Sequence, residues 1–310
     1  MSNYTFPVER ILHAVQESLQ RMHTIGLSKE METGLKNSIQ LVDRDGAHTT
    51  IADVSPCGQV TLSLSYCQFL LLLCHIGLIV HESIVIANEI EQMSDSERKM
   101  FHMALTTRNS LTIFLKEIPD YNSAICYCSH LIDIAKPLLT NAPITDDEFR
   151  AIANVDYDST LATKANALCV YGIDFILLHE ASHVLLGQDL YSKGTVVEEI
   201  EADHNAFWTM FNDLDGIERN TALMGCICAL ASLLFYNPSL ASDGVHPRED
   251  VRLFEFYDIL KNENSSYTEM LVIILSAWAT TFRIDNFPSI DGSYGEIFIK
   301  QREYFNHMSI

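Results

Sequence analysis

The chain is short of positive charge. Of its 310 residues, 20 are Lys or Arg against 41 Asp or Glu, so the net charge is −21 with histidine neutral. No Lys- or Arg-rich run stands out. Nucleic acid and anionic membrane surfaces are therefore disfavoured as direct partners. The chain also lacks any Cys-x-x-Cys pair among its eight cysteines, which argues against a structural zinc ribbon. Those cysteines are Cys57, Cys67, Cys74, Cys126, Cys128, Cys169, Cys226 and Cys228. Most lie in apolar runs, where a free thiol packs as a small hydrophobe, and a reducing cytoplasm suits them. The first residues, Met1 to Arg21, have neither a basic start nor an apolar centre, so a secretory leader is not expected. Three apolar stretches, Phe69–Val80, Leu223–Tyr236 and Met270–Ala279, are each shorter than the roughly 20 residues a membrane span needs. They read as buried helices, with peripheral membrane contact not favoured. There is no internal repeat and no low-complexity tract.

Hydrophobic residues make up 48% of the chain, ample for a sizeable core. The length allows one large domain or two smaller ones. Apolar spacing from Arg10 to Met22 predicts an amphipathic helix through Ile11, Leu12, Val15 and Leu19. Ser38–Asp43, Thr49–Val54 and Gln59–Ser65 alternate and read as short strands, with turns at Asp45-Gly46 and Pro56-Cys57-Gly58. Together they suggest a small antiparallel meander. By analogy with strands that pair with an extended chain, one of the three, Gln59–Ser65 first, is expected to line a cleft and take up such a partner. Helices are expected at Tyr66–Glu91, at Ser94–Glu117 behind a capping sequence, at Tyr121–Leu139, and over most of the remainder. Residues 140–158, with Pro143 and several Asp, form the most linker-like region. The resulting expectation is an α+β fold, mostly α. It comprises an N-terminal helical region with the meander over 1–145 and a helical region over 146–310, or one continuous domain.

The chemistry concentrates at Ile176-Leu177-Leu178-His179-Glu180-Ala181-Ser182-His183-Val184-Leu185. Residues four apart share a helix face, so His179 and His183 can address one metal ion, with Glu180 beside it to handle a proton of water. Leu168 to Leu186 has no proline and is rich in apolar residues, and Gly187 is a good helix stop. A catalytic zinc takes three protein ligands. The third is sought in Glu198-Glu199-Ile200-Glu201-Ala202-Asp203-His204. Glu199 and Asp203 share a face, so Glu199 reads as the ligand and Asp203 as the group holding the other ring nitrogen of a ligand His. Glu198, Glu201 and His204 compete for the ligand role. A third segment, Asp243-Gly244-Val245-His246-Pro247-Arg248-Glu249-Asp250-Val251-Arg252, places Pro247 at a helix start. It offers His246 and Arg252 to stabilise the negative charge that develops on a carbonyl oxygen or to hold the cleft.

His179-Glu180-x-x-His183, then Glu199-x-x-Ala202-Asp203, then His246-Pro247 with Arg252 after it, resembles the order in the Lit peptidases, the phage-exclusion zinc metallopeptidases. The likeness is strongest over about residues 170–260. A similar triplet marks the membrane-embedded proteases related to the CAAX prenyl endopeptidases, which carry several membrane spans. The Lit resemblance implies a gluzincin-like zinc endopeptidase with a zincin-like catalytic helix bundle. It further implies a Zn²⁺ cofactor, a phage-derived protein trigger, and a translation factor such as elongation factor Tu as substrate. Two other readings stand beside it. One is a membrane-associated or regulatory protease with the same motif. The other is a zinc-stabilised binding protein without hydrolysis, against which Glu180 argues, since a binding site needs no general base.

Overall fold

The structure, a computed structural model, describes residues 8–21, 29–37, 39–42, 51–55, 59–92, 94–97, 121–140, 142, 160–188, 195–212, 214–240, 246–260, 266–288 and 292–308. The elements in order are α1 (Val8–Arg21), α2 (Lys29–Asn37), β1 (Ile39–Val42), β2 (Ala52–Val54), β3 (Val60–Ser63) and α3 (Leu64–Gln92). They continue with α4 (Tyr121–Ile134), α5 (Lys136–Leu139), α6 (Thr160–Leu185), α7 (Val196–Phe211) and α8 (Gly216–Tyr236). The last are α9 (Glu249–Leu260), α10 (Ser266–Thr281) and α11 (Tyr294–His307). The fold is α+β and mostly helical, as expected.

Helix α6 is the hub. It packs against α1, β2, α3, α7 and α8, so almost every face of it meets protein. That placement explains its composition, because a helix apolar all round has to be covered all round. The amphipathic α1 is the contrast, laying Ile11, Val15 and Leu19 into the core while His13 and Glu17 face water. α6 and α8 pack tightly where two glycines meet. A Cβ on Gly225 would lie 2.5 Å from the Leu168 carbonyl oxygen, and one on Gly172 would lie 3.0 Å from the Gly225 oxygen. Buried side chains from α1 to α11 form one cluster.

Among the described residues, three helices are long and apolar enough to cross a membrane: Leu64–His81 within α3, Ala162–Leu185 within α6, and Gly216–Tyr236. Length therefore does not exclude spans, contrary to the reading of the shorter apolar runs. Within the fold, 89%, 78% and 72% of these windows are buried. α3, α6 and α8 touch one another, and that mutual contact accounts for their hydropathy.

The sheet differs from a meander. Its order is β1-β3-β2, with β1 parallel to β3 and β2 antiparallel to it. The Ser55 N–H donates to the Gln59 carbonyl at 2.9 Å, which extends the antiparallel pairing of β2 with β3 by one bond. β3 then inserts beside β1 instead of continuing outward. Being central, β3 has both edges occupied, so Gln59–Ser65 cannot receive a further strand; β2 is the edge strand that packs on α6.

Other boundaries shift locally. α3 begins at Leu64, and α9 begins at Glu249 instead of Pro247. Ser94 caps as expected, its amide donating to Glu97 Oε2 at 2.9 Å. Residues 98–117 of the expected helix, the turns at Asp45-Gly46 and Pro56-Cys57-Gly58, and all of 140–158 except Thr140 and Ala142 lie outside the described residues. His81, which lacks a second His to complete a motif, pairs with Glu269 of α10 at 3.2 Å and so ties α3 to α10.

Candidate metal centre

Each side chain of the centre is placed by a local rule. α6 carries His179 and His183 one turn apart, so both rings project from one face, and their Nε2 atoms lie 3.1 Å apart. α6 ends in a Schellman motif. Gly187 adopts φ +69°, its amide donates to Val184 O, and the Gln188 amide donates to His183 O. Only a residue free to enter the left-handed region permits this reversal without strain. The reversal brings Gln188 back over the helix end, where its Oε1 lies 2.5 Å from His183 Nδ1. Gln188 was not foreseen from the sequence. Its signal is the position just after a helix-stopping glycine that itself follows the second histidine.

α7 starts with a capping box: Thr195 Oγ1 accepts from the Glu198 amide, and Glu198 Oε2 accepts from the Thr195 amide at 2.6 Å. Glu198 is thereby committed to the helix start. Glu199, the next residue, is buried and points at the histidines. Its Oε2 is 3.4 Å from His179 Nε2 and its Oε1 is 3.5 Å from His183 Nε2. One turn on, Asp203 Oδ1 lies 2.8 Å from His179 Nδ1. The competing residues point elsewhere. Glu201 is exposed, with Gln188 Nε2 3.5 Å from its Oε2. His204 Nε2 pairs with Glu255 of α9 at 3.2 Å. Asn205 Nδ2 donates to Ser182 Oγ at 2.9 Å, which pins α7 to α6 beside the site.

The third segment contributes two residues in two places. His246 is on the open side, with its Nε2 3.5 Å from Glu199 Oε1 and its side chain 52% exposed. Arg248 holds this approach to α9, its fork donating to both Asp250 oxygens at 2.9 Å and to the Phe305 carbonyl at 3.2 Å. Arg252 lies at the back. Its Nε donates to Asp203 Oδ2 at 2.8 Å and its Nη2 to Asp203 Oδ1 at 2.7 Å. The guanidinium is thus on the Nδ1 side of the His179 ring, away from Nε2. The Nη2–Nδ1 separation of 3.5 Å is between two donors, since the His179 Nδ1–H donates to Asp203.

Among the described residues, the ligand atoms of His179, His183 and Glu199 all lie within 4.8 Å of one another, close enough to hold one metal ion. The hydrogen bonds choose the tautomers. Nδ1 of each imidazole faces an acceptor, so each Nε2 presents its lone pair to the shared space. Two lone pairs 3.1 Å apart repel unless a proton or a cation lies between them. Without an ion, a proton fills that role. Burial disfavours charge on His179, but Asp203, by charge and hydrogen bond, together with Glu199, pushes its pKa up to about 9. His183 moves down, through burial and then the charge on His179. Burial works against the Glu199 carboxylate, yet His179, His246 and Arg252 hold it below the usual range. Asp203 is likewise held far below its ordinary value, against burial, by Arg252 and His179.

Glu180 is half-buried at the same level of α6. Burial above all pushes its pKa up to about 7; the charge on His179 opposes this, and the carboxylates of Glu199 and Asp53 add to it. A carboxyl near neutrality can both take and return a proton at ordinary pH.

The remaining nucleophiles are quiet. Cys67, Cys74, Cys128, Cys169, Cys226 and Cys228 are free and buried, and burial raises the thiols of Cys67, Cys74, Cys128, Cys169 and Cys226. They pack as core, as their apolar surroundings predict. No curated protein and no solved structure matches the chain. A family model described as Peptidase U49 matches residues 72–272, a span that holds every residue of the metal centre, and the chain belongs to that peptidase family.

Proposed function

We propose that this peptidase is a zinc-dependent endopeptidase of the cytoplasm. The observation that carries the reading is the convergence of two imidazole Nε2 atoms and one carboxylate, with both Nδ1 atoms held by acceptors. A tetrahedral zinc with ligand bonds of about 2.0–2.1 Å spaces its donors about 3.3–3.4 Å apart. The two Nε2 atoms lie 3.1 Å apart, Glu199 Oε2 is 3.4 Å from that of His179 and Glu199 Oε1 is 3.5 Å from that of His183; with one donor atom per residue the set lies within 4.8 Å, close enough to hold that ion. Two nitrogens and one carboxylate also suit zinc by donor type and leave a coordination position open, as catalytic sites do.

Bound there, zinc would lower the pKa of water toward about 7 and polarise a carbonyl oxygen. Glu180 takes a proton from the attacking water on its carboxylate and delivers it to the leaving amine nitrogen. Asp203 fixes the His179 ring through Nδ1, and Arg252 fixes Asp203, so Arg252 is a positioning residue. His246, on the open side beside Glu199, serves as donor to an oxyanion. The general base is what separates this reading from a zinc-stabilised binding protein.

The resemblance to the Lit peptidases supports a phage-exclusion role, with a phage-derived trigger and a host translation factor such as elongation factor Tu as the substrate. Expressing the wild type and Glu180→Gln in bacteria with and without phage, then comparing protein N-termini, tests both levels. New termini in the wild type alone are expected, with zinc content equal in the two proteins. Undiminished cleavage by Glu180→Gln would refute the mechanism. Cleavage without phage, or of unrelated targets, would refute the phage-exclusion role and leave the endopeptidase standing.

A further inference from the structure

β2 is the edge strand that packs against the helix carrying Glu180. Its hydrogen-bonding parity follows from its register. Ala52 is opposite Leu62 and Val54 opposite Val60, while Ser63 N–H donates to Ile51 O and Ser55 N–H donates to Gln59 O. Residues 51, 53 and 55 therefore bond inward to β3, and the N–H and C=O groups of Ala52 and Val54 face the other edge. An antiparallel chain added there bonds to Ala52 and Val54. Asp53 then falls in a non-hydrogen-bonded pair, the kind in which opposed residues come closest, with Cα atoms about 4.5 Å apart and side chains on the same face.

Asp53 is the strand's one exposed side chain; Ala52 and Val54 are buried. Among the described residues its carboxylate has no ion pair or hydrogen bond, and its charge is felt at Glu180. The cation nearest the metal ligands, Arg252, is committed to Asp203. The complement of the unpaired Asp53 carboxylate is a positive side chain. Asp53 also lies outside residues 72–272, so it belongs to the part of the chain that the family match does not cover.

We infer that Asp53 is a specificity residue: an extended segment of the protein substrate adds to the β2 edge, and Asp53 selects a Lys or Arg in the residue set opposite it. The inference rests on the peptidase reading above. An opposite-charge cross-strand pair supports a preference of up to about fivefold.

The test uses full-length wild type, Asp53→Asn and Asp53→Lys on a library of bacterial peptides generated by cleavage after Glu, so that internal Lys and Arg are kept. The wild type is expected to enrich Lys and Arg at one fixed distance from the cut. Asp53→Asn loses that enrichment, and Asp53→Lys replaces it with Asp and Glu. For a peptide with Lys at that position, KM rises about fivefold in Asp53→Asn with kcat unchanged, and the matching Ala peptide is unaffected. The same residue preference in all three proteins, or an equal loss on both peptides, would overturn the inference and leave the peptidase reading intact. The library is presented together with extract of phage-infected bacteria as the source of the trigger; no cleavage of any member by the wild type under that condition would overturn the zinc-endopeptidase reading, and this inference with it.

Discussion

The Asp203–Arg252 pair invites a quantitative test. Two charge-assisted hydrogen bonds at 2.8 and 2.7 Å join side chains only 14% and 9% exposed. Removing one partner from such a pair leaves an uncompensated buried charge and costs about 3–5 kcal/mol. With a chelator present, so that metal binding does not enter, Asp203→Asn is expected to lose that much in urea unfolding, and Arg252→Met about 3 kcal/mol, because the His179 imidazolium still faces Asp203. Arg252→Lys keeps one point charge but not the fork. Losing one charged hydrogen bond costs about 1.5–3 kcal/mol. The double variant removes both charges, so its loss should fall short of the summed single losses by about 2–3 kcal/mol. Metal affinity is read separately. Asp203 holds Nδ1 of a ligand imidazole, and disturbing such a partner typically weakens binding about 10–100-fold. Arg252→Met should show that fall in zinc competition even though Arg252 does not touch the ion's position. Additivity within about 0.5 kcal/mol, or unchanged zinc affinity in Arg252→Met, would refute the chain of support from Arg252 through Asp203 to His179.

Gln188→Ala deletes the acceptor at His183 Nδ1 without changing charge, and should weaken zinc binding about tenfold while unfolding of the chelated protein barely moves; equilibrium dialysis against a chromophoric chelator reads it. Gly225→Ala gains about 1 kcal/mol of helix propensity but drives a Cβ to 2.5 Å from a backbone oxygen that cannot rotate away. Overpacking should win, for a net loss of about 2 kcal/mol, measured by denaturant midpoint. Zinc at about 1,000 times its Kd should stabilise the protein by about 4 kcal/mol, seen as a rise in Tm that a chelator reverses and that is absent in His183→Ala.

How much of this was written in the sequence depends on how local each rule is. His179, Glu180 and His183 follow from helical spacing alone, and Gly187 from the chemistry of helix ends. Choosing Glu199 over its neighbours needed the face of α7 that meets α6, which is a tertiary fact. Part of it was nonetheless local: Thr195-x-x-Glu198 is a capping box, and it removes Glu198 from contention. Arg252 could be singled out but not placed. The step from His246 to Arg252 is legible, whereas the side of the imidazole on which the guanidinium falls depends on how α9 crosses α7. The sheet order was not legible. Alternation marks a strand without naming its partner, and β1 pairs with a strand that follows only after β2 has intervened. Nothing local distinguishes Asp53 from any other exposed Asp; the edge of the sheet gives it meaning.

The hydropathy of α6 and the polarity of its motif have one explanation. A helix covered on nearly every side must be apolar nearly everywhere, which makes it resemble a membrane span. The same burial makes His179 and Glu180 costly unless other elements meet them. His179 is met by Glu199 and Asp203 from α7, Asp203 by Arg252 from α9, and His183 by Gln188 from beyond the helix end. No single element carries a complete set of ligands and supports, so the site exists only when α6, α7 and α9 are in register. Metal affinity and folding are then linked. Any substitution that slides α6 against α8, such as Gly225→Ala, should weaken zinc binding from well outside the coordination sphere, in proportion to the stability it removes.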